Sequence, residues 1–341
     1  MKDTRSMKFL VVGAGSIGSR HLKNLLQLGI RNVEVCEPFE VSRRRLSEWF
    51  HGPVHSRLSR ALKSKPDAAL ITTPTRLHTR AAIECAKEGC HLFIEKPLSH
   101  ALKGLDRLQK LILKKHLVCL VGCNMRFHPG LVLLKECIQD KKIGKIWSVR
   151  MQFGHYLPAW RPGKDYRNTY SAKASQGGGV ILDCIHELDY ARWFFGHVVS
   201  AVAYSPKKSV LGINVEENVN MVLNTRHGVW VEIHLDYLQK AYKRQCTAFG
   251  EDGVLEWDWH LPGVRWYQAN RKKWIHLGGN HKFETNDMYM DEMKHFLRCL
   301  CKKEEPIQNL RRGREVLNLA LSLKKSLRTL KMAPVKYDKW S

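Results

Sequence analysis

A glycine-rich segment near the start of the chain constrains the fold more than any other feature. The apolar run Lys8–Val12 leads directly into Gly13-Ala14-Gly15-Ser16-Ile17-Gly18, and an amphipathic pattern follows up to Leu28. Strand, glycine turn and helix in this order are typical of the first βαβ unit of a dinucleotide-binding domain. We therefore expect five residues of the turn to hold a diphosphate at the helix N-terminus: Gly13, Gly15, Ser16, Ile17 and Gly18.

An acidic residue follows the next predicted strand. Asn32–Cys36 forms this strand, and Glu37 comes at its end, about 20 residues after the glycine turn. A carboxylate in this position accepts hydrogen bonds from the adenosine ribose hydroxyls and repels a 2′-phosphate, which favours NAD. NADP remains the alternative, because the arginines Arg43–Arg45 follow and a guanidinium pairs well with phosphate.

Strand-like and helix-like segments then alternate as far as residue 122. Strands are predicted at Ala68–Thr72, His91–Ile94 and Val118–Gly122, with helices between them, which is the pattern of a doubly wound parallel sheet. Ligands of such sheets bind beyond the carboxyl ends of the strands. We therefore expect further cofactor-binding residues on that edge: Thr73, Pro74, Glu95, Lys96 and Asn124.

The second half of the chain has a different pattern. Strand-like segments recur at 146–153, 198–204, 218–224, 229–235 and 244–249. Helices are predicted at 177–197, 287–301 and 313–330. The fold predicted is α/β, with an N-terminal Rossmann domain over 1–125 and a C-terminal α/β domain with a large, mostly antiparallel sheet over 126–341. One face of that sheet would be free for subunit pairing, so we expect a homo-oligomer, a dimer or a tetramer.

The charge balance is unusually basic. The chain has 57 Lys and Arg against 32 Asp and Glu, a net charge of +25. Such a charge attracts nucleic acid, an acidic membrane surface or an anionic substrate. The cations are spread along the chain, which is typical of solvated helix faces. Because no nucleic-acid-binding motif accompanies them, a nucleic-acid partner is not expected.

Cysteine usage and hydropathy predict a soluble cytoplasmic protein. The ten cysteines are scattered without a CxxC pair, which indicates free thiols in a reducing compartment. Cys119/Cys123 and Cys299/Cys301 lack the histidine spacing of a zinc site, so no metal is expected. No apolar run reaches the roughly 18–20 residues needed to span a bilayer. The N-terminal segment also lacks the cleavage site of a signal peptide.

Several motifs together resemble the Gfo/Idh/MocA oxidoreductase family, named after glucose–fructose oxidoreductase and inositol dehydrogenase. They are the glycine turn with His21, Thr73-Pro74-Thr75 with His78, Glu95-Lys96-Pro97, and Gly177-Gly178-Gly179 followed by Asp183, His186 and Asp189. The resemblance covers nearly the whole chain in order. It implies NAD(P)-linked redox chemistry on a sugar, cyclitol or sugar nucleotide, and it adds His78 to the expected cofactor-binding residues.

The resemblance also implies the catalytic residues. Lys96 matches an active-site lysine of the family and can hold or deprotonate a substrate hydroxyl if its pKa is lowered. His186 is the leading candidate for proton exchange with the substrate, and the carboxylate of Asp183 can orient it. Many family members separate the aspartate and histidine by four residues rather than the three found here, and both spacings predict one helix face. The alternatives are a surface lysine and a structural histidine, with Glu187 and Asp189 as helix-surface or helix-packing groups.

A loop-like segment, Tyr156–Arg167, alternates aromatic residues and arginines. Aromatic faces often hold sugars and arginines hold anionic groups, so we expect substrate contacts from Tyr156, Trp160 and Arg161. With the basic charge balance, this loop favours an acidic or phosphorylated sugar. Arg126 and His128 are further substrate candidates from the same edge as Asn124.

Three other functions remain open on sequence grounds. Some family relatives use tightly bound NAD transiently for isomerisation or glycosidic-bond elimination. A non-catalytic, dinucleotide-responsive binding protein would use the basic surface for a polyanion, although binding alone does not need Lys96, Asp183 and His186 together. An anabolic reductase of surface-sugar synthesis would run the same chemistry backwards.

Overall fold

The computed structural model describes residues 4–279 and 283–337, which form two compact units. The first comprises residues 1–124 and 285–314, and the second comprises residues 125–284 and 315–341. The sequence-based division had one boundary, after residue 125, whereas the structure returns residues 285–314 to the first unit. The reason is apolar packing, because Met293 and Phe296 are buried in the hydrophobic core of that unit.

The first unit is built on a parallel sheet of six strands within the described residues. Their order is β3-β2-β1-β4-β5-β6. The strands are β1 (Phe9–Val12), β2 (Val33–Cys36), β3 (Val54–His55), β4 (Ala68–Ile71), β5 (His91–Glu95) and β6 (Cys119–Gly122). The helices that join them are α1 (Ser16–Gln27), α2 (Glu40–Ser47), α3 (Leu58–Ala61), α4 (His78–Lys87) and α5 (Leu105–Lys114). This topology confirms the doubly wound sheet, whose central strands are buried on both faces.

The strand order places several loops on one edge of the sheet. The direction of winding reverses between β1 and β4, which pair in parallel through Phe9–Val12 and Ala68–Ile71. Ligands of open α/β sheets bind at the carboxyl ends of the strands at such a reversal. The residues that follow β1, β4, β5 and β6 therefore share the binding edge.

The second unit contains a sheet of nine strands within the ranges that the structure describes. Their order is β14-β13-β12-β11-β7-β10-β9-β8-β15. The strands are β7 (Ile146–Gly154), β8 (Val198–Tyr204), β9 (Asn218–Thr225), β10 (Trp230–Asp236), β11 (Lys243–Gly250), β12 (Gly253–Asp258), β13 (Val264–Gln268), β14 (Lys273–Leu277) and β15 (Ala333–Pro334). The second unit also contains the helices α6 (Pro129–Gln139), α7 (Val180–Asp183) and α8 (His186–Phe195). Helix α9 (Thr285–Leu300) belongs to the first unit, and α10 (Leu310–Thr329) begins in the first unit and continues into the second. Neighbouring strands are antiparallel except for β7 and β10, which confirms the predicted class of sheet.

The large sheet has one buried and one open face. In β9 the side chains of Val219, Met221 and Leu223 are buried, while the residues between them are half-buried or exposed. The same period of two runs through β10 and β11. The strands expected at 146–153, 198–204, 218–224, 229–235 and 244–249 are confirmed, whereas β12 to β14 were not predicted.

The predicted helix over Gly177–His197 was wrong in one respect, because it is two helices. Gly179, with φ of 103°, precedes α7, and α7 ends at Asp183. Cys184 has φ of −100° and ψ of 43°, outside helical geometry, and α8 begins at His186. Asp183 therefore ends one helix and His186 begins the next, so the two residues do not share one helix face.

The hydropathy of the helices was compared with that of membrane-spanning helices. Within residues 4–279 and 283–337, no helix is both long enough and apolar enough to cross a bilayer.

Candidate functional site

The glycine turn of the first unit leaves space where a diphosphate would lie. Gly13 has φ of 98°, and a Cβ atom on Gly18 would lie 1.9 Å from the carbonyl oxygen of Gly13. A Cβ atom on Gly15 would meet nothing within 4 Å. Gly15 is also the N-cap of α1, and neither a side-chain cap nor an acidic residue occupies its first turn, which starts with Ser16 and Ile17. The turn therefore offers open backbone N–H groups to an anion, which fits the diphosphate of a dinucleotide.

Glu37 lies beside this turn at the end of β2. Its carboxylate is buried and accepts hydrogen bonds from the backbone N–H groups of Ala14 at 2.7 Å and Phe39 at 3.0 Å. The nearby arginines have partners of their own. Arg43 donates to the carbonyl oxygens of Glu37 and Pro38, and Arg44 pairs with Glu40. The carboxylate thus lies where the ribose of a bound dinucleotide is recognised in such folds.

The loop after β4 carries Thr73, Pro74 and His78. The hydroxyl of Thr73 is buried without a hydrogen-bond partner among the described residues, so it can serve a ligand, while Pro74 is exposed. The ring nitrogens of buried His78 lie 2.7 Å from the carbonyl oxygen of Thr73 and 2.9 Å from that of Pro97. Burial lowers the pKa of His78. This histidine therefore links two loops of the ligand edge.

Lys96 follows β5 and is supported from behind by Glu95. One oxygen of Glu95 lies 2.6 Å from Nε2 of His21, and the other accepts the backbone N–H of Lys96 at 3.0 Å. Burial alone would raise the pKa of Glu95, but the contact with His21 and the charge of Lys96 outweigh it, so this pKa lies below its ordinary value. The Lys96–Pro97 peptide bond is cis. Asn124, the last of the predicted edge residues, is buried just after β6.

Metal ligands were not expected from the sequence. One group in the described residues has three potential ligand atoms within 4.8 Å of one another, from His21, Glu95 and Glu292. The ten cysteines are free thiols, and burial raises the pKa of Cys119 to about 12.

In the second unit, Asp183 is surrounded by hydroxyl donors. Its carboxylate accepts hydrogen bonds from Tyr170 at 2.7 Å, Ser171 at 2.6 Å and Tyr237 at 3.2 Å. Asp183 and Tyr237 are buried. A carboxylate that accepts three hydroxyl hydrogen bonds is fixed in position as an acceptor. Sequence reasoning missed these three donors, although Tyr170 and Ser171 belong to the segment just before the glycine run.

Helix α8 begins with His186, and two buried ion pairs follow it in the first turn. Glu187 lies 2.9 Å from the guanidinium of Arg244, and Asp189 accepts two hydrogen bonds from Arg126 at 2.8 and 2.9 Å. Burial raises the pKa of Glu187, and the charge of Arg244 opposes that shift. Glu187 and Asp189 are thus packing groups and not surface groups. Arg126, expected as a substrate contact, is buried and directs its guanidinium to Asp189.

The aromatic loop contacts the residues around Asp183. Trp160 packs edge-to-face on Tyr237 at 5.3 Å between ring centroids, and the guanidinium of exposed Arg161 lies 5.3 Å from the ring of Tyr170. The Nζ atom of Lys240 lies 5.5 Å from the ring centroid of Tyr156. Trp160 and Arg161 thus touch the two tyrosines that hold Asp183, and Tyr156 lies beside a further cation.

His128, another substrate candidate, is enclosed by aromatic rings. Its Nδ1 accepts the backbone N–H of Gly130 and so caps α6, while Trp257, Trp259 and Phe283 pack around its ring. Burial, together with the charge of Arg244, lowers the pKa of His128 to about 4. These contacts give His128 a structural role.

Comparison with known proteins extends over nearly the whole chain. Myo-inositol 2-dehydrogenase of Thermotoga maritima is 28% identical over 94% of this chain and 96% of that enzyme. Among solved structures, a probable dehydrogenase from Thermotoga maritima is 25% identical, with a TM-score of 0.79 over 96% of this chain and 99% of that one. The WlbA dehydrogenase of Bordetella pertussis, solved with NADH and UDP-GlcNAcA, shares the fold with a TM-score of 0.82 at 24% identity, over 97% and 99% of the two chains.

Family profiles match both halves of the chain. Residues 7–123 match the oxidoreductase family with an NAD-binding Rossmann fold, and residues 131–256 match the GFO/IDH/MocA C-terminal domain. The chain therefore belongs to the Gfo/Idh/MocA oxidoreductase family, and its first unit is an NAD-binding Rossmann domain.

Proposed function

We propose that this protein is an NAD-dependent oxidoreductase that transfers a hydride between the nicotinamide ring and a CH–OH carbon of a sugar or cyclitol. The observation that carries the proposal is the arrangement around Asp183, whose carboxylate is held by three hydroxyl donors just ahead of His186. A non-catalytic binding protein would not need such a set in a chain that also contains an NAD-binding domain. The similarity to myo-inositol 2-dehydrogenase over 94% of the chain supports a cyclitol or a sugar as the substrate class.

Each unit has its own task in the proposed reaction. When NAD is bound, its nicotinamide ring supplies the hydride chemistry. The glycine turn, Glu37, Thr73 and Asn124 hold the cofactor. Lys96, supported by Glu95, binds the reacting hydroxyl, and His186 accepts its proton. Asp183 orients the substrate and His186 as a fixed hydrogen-bond acceptor.

Three finer points belong to the same proposal. Glu37 favours NAD over NADP because a buried carboxylate repels a 2′-phosphate. Exposed Arg161 and the net charge of +25 favour an anionic sugar, such as a uronic acid or a nucleotide sugar, as found in surface-sugar synthesis. We place the enzyme in the cytoplasm, because its cysteines are free thiols.

The open face of the large sheet supports a homo-oligomer. Trp230 is exposed at the start of β10, and the polar residues Glu232 and His234 follow it on the same face of the strand. Such a face pairs readily with a second copy across a two-fold axis. Light scattering during gel filtration should report a dimer or a tetramer, and a monomer at micromolar concentration would contradict this part of the proposal.

The test is absorbance at the NADH band after purified protein is mixed with NAD or NADP and a panel of inositols, free sugars, uronic acids and nucleotide sugars. We expect signal with NAD and one substrate class. Lys96→Met and His186→Ala should each lower kcat by about 10²–10⁴ and leave the Kd for NAD within a few-fold. Lys207→Met, at an exposed lysine, is the matched control and should keep wild-type activity. Wild-type rates in both active-site variants would overturn the assignment of Lys96 and His186. If NAD binds but no substrate of the panel produces NADH, internal redox cycling would be favoured instead.

A further inference from the structure

Helix α5 carries a row of cations that the proposed function does not use. Lys103 precedes the helix, and Arg107, Lys110 and Lys114 follow within it. All four side chains are exposed. We call these four residues the α5 ridge.

The helical part of the ridge faces outward. Arg107, Lys110 and Lys114 are spaced by three and four positions, so at about 100° per residue they lie within a band of about 60° along roughly 10 Å of helix. Lys103 lies just before Gly104, the N-cap of α5. The buried residues of the helix, Leu105 and Leu108, lie on the opposite side. The three helical cations therefore form the outermost line of the helix.

The ridge cations are not neutralised by carboxylates. In the part of the chain that the structure describes, none of the four forms an ion pair. The acidic residue of α5, Asp106, pairs with Arg314. By contrast, Arg44 in α2 and Arg80 in α4 pair with glutamates on their own helices. The positive charge of α5 is thus concentrated and available to a partner.

An exposed leucine lies beside the ridge on the helix. Leu113 is 61% exposed. On the helical period it lies about 90° from the centre of the ridge. Leu102, 38% exposed, lies just before the helix. An apolar side chain beside a row of cations is the pattern by which a helix contacts charged headgroups and the apolar layer beneath them.

We propose that the α5 ridge docks this protein on an anionic lipid surface. The outward row of Arg107, Lys110 and Lys114 can meet a flat, negatively charged plane, and Leu113 can enter the interface beside it. Nucleic acid is disfavoured, because no aromatic residue stands on the ridge to stack on bases and three of the four cations are lysines. Each cation near such a surface strengthens binding roughly fivefold, so the ridge gives weak, reversible association.

The experiment compares two variants of the full chain with equal net charge. The ridge variant is K103Q/R107Q/K110Q/K114Q. The control variant, K207Q/K208Q/R271Q/K273Q, also replaces three lysines and one arginine, all exposed and in the second unit. Both lower the net charge by four. Binding is measured by co-sedimentation with phosphatidylcholine vesicles, with and without phosphatidylglycerol, at low and high salt, and NAD binding reports on the fold of each variant.

We expect the wild type to sediment with phosphatidylglycerol vesicles only, and less at high salt. The ridge variant should lose more than about fiftyfold in affinity, whereas the control variant should lose less than about fivefold. L113Q should weaken vesicle binding and leave binding to duplex DNA unchanged. If the ridge variant does not fold, the single changes R107Q and K110Q should each lose roughly fivefold.

Three results would overturn the proposal. One is equal loss in the ridge and control variants, because net charge alone would then explain binding. Another is tighter binding to duplex DNA than to phosphatidylglycerol vesicles at the same salt, because the ridge would then serve nucleic acid. The third is no binding of the wild type to anionic vesicles.

Discussion

His21 and Glu95 are joined by a buried contact of 2.6 Å between Nε2 and Oε1, directly behind Lys96. The other oxygen of Glu95 accepts the backbone N–H of Lys96. His21 lies in α1 and Glu95 ends β5, so helix and strand together fix the loop that presents the lysine. His21 is therefore a positioning residue that acts through Glu95.

We expect His21→Leu to lower kcat by about 10², because Glu95 would lose its buried partner and Lys96 its fixed position. The Kd for NAD should change only a few-fold. His21→Gln keeps a donor in place and should restore part of kcat. A merely structural role would instead lower the melting temperature of His21→Leu while kcat per folded molecule stayed at the wild-type value.

The buried pair of Glu187 and Arg244 should make a large contribution to stability. Removing one partner leaves an unpaired buried charge, so Glu187→Gln and Arg244→Met should each lower the free energy of unfolding by about 3–5 kcal/mol. The double variant should lose less than the sum, because neither charge then remains. Denaturant unfolding measures all three proteins.

The surface pair of Arg80 and Glu84 in α4 is the matched control. Their side chains are 81% and 35% exposed at 3.0 Å separation, so Glu84→Gln should cost less than about 1 kcal/mol. If the free energy of unfolding falls equally at the buried and surface pairs, the Glu187–Arg244 contact contributes no more to stability than a surface ion pair.

Glu37 should control the choice of cofactor. Glu37→Ala removes the carboxylate beside the glycine turn and with it the repulsion of a 2′-phosphate, so the ratio of NAD to NADP in kcat/KM should fall at least tenfold. Arg43→Ala is the companion change. It should leave that ratio near the wild-type value, because the Arg43 guanidinium donates to loop carbonyl oxygens. An unchanged ratio in Glu37→Ala would remove this residue from the ribose site.

His128 should make stability depend on pH. Its pKa is about 4 in the folded chain against an ordinary value of 6.5, so the unfolded chain binds the proton first as the pH falls. The contribution of neutral His128 to the free energy of unfolding is fully present above about pH 6.5. It decreases by about 3 kcal/mol as the pH falls to 4. Arg244 and the rings of Trp257 and Trp259 surround the imidazole and disfavour its charged form.

His128→Asn isolates this effect. Asparagine can accept the Gly130 N–H and keep the cap of α6, but it does not titrate. The free energy of unfolding, measured by denaturant at several pH values between 4 and 7, should therefore change less with pH in this variant than in the wild type. Parallel curves for the two proteins would assign the pH dependence to other histidines.

Much of the first unit could be predicted from local pattern. The glycine turn, the alternating strands and the position of Glu37 depend on neighbouring residues, because βαβ units pair strands that are close in sequence. The strand-like segments of the second unit were also found by their period of two. Strands β12 to β14 were missed because charged and polar residues interrupt their apolar pattern, as in Glu256, Asp258 and Arg265.

The sequence alone determined the family, the cofactor-binding turn and the motif residues Lys96, Asp183 and His186, because each is a local arrangement of residue types. The way in which those residues are held became visible in the folded chain. The helix breaks at Cys184, within the segment predicted as one helix. Two contacts join residues that are far apart in sequence: Arg126 pairs with Asp189, 63 positions away, and the hydroxyl of Tyr237 donates to Asp183, 54 positions away. Such partners are chosen by burial, since a buried charge or hydroxyl must find a hydrogen-bonding group wherever the chain returns.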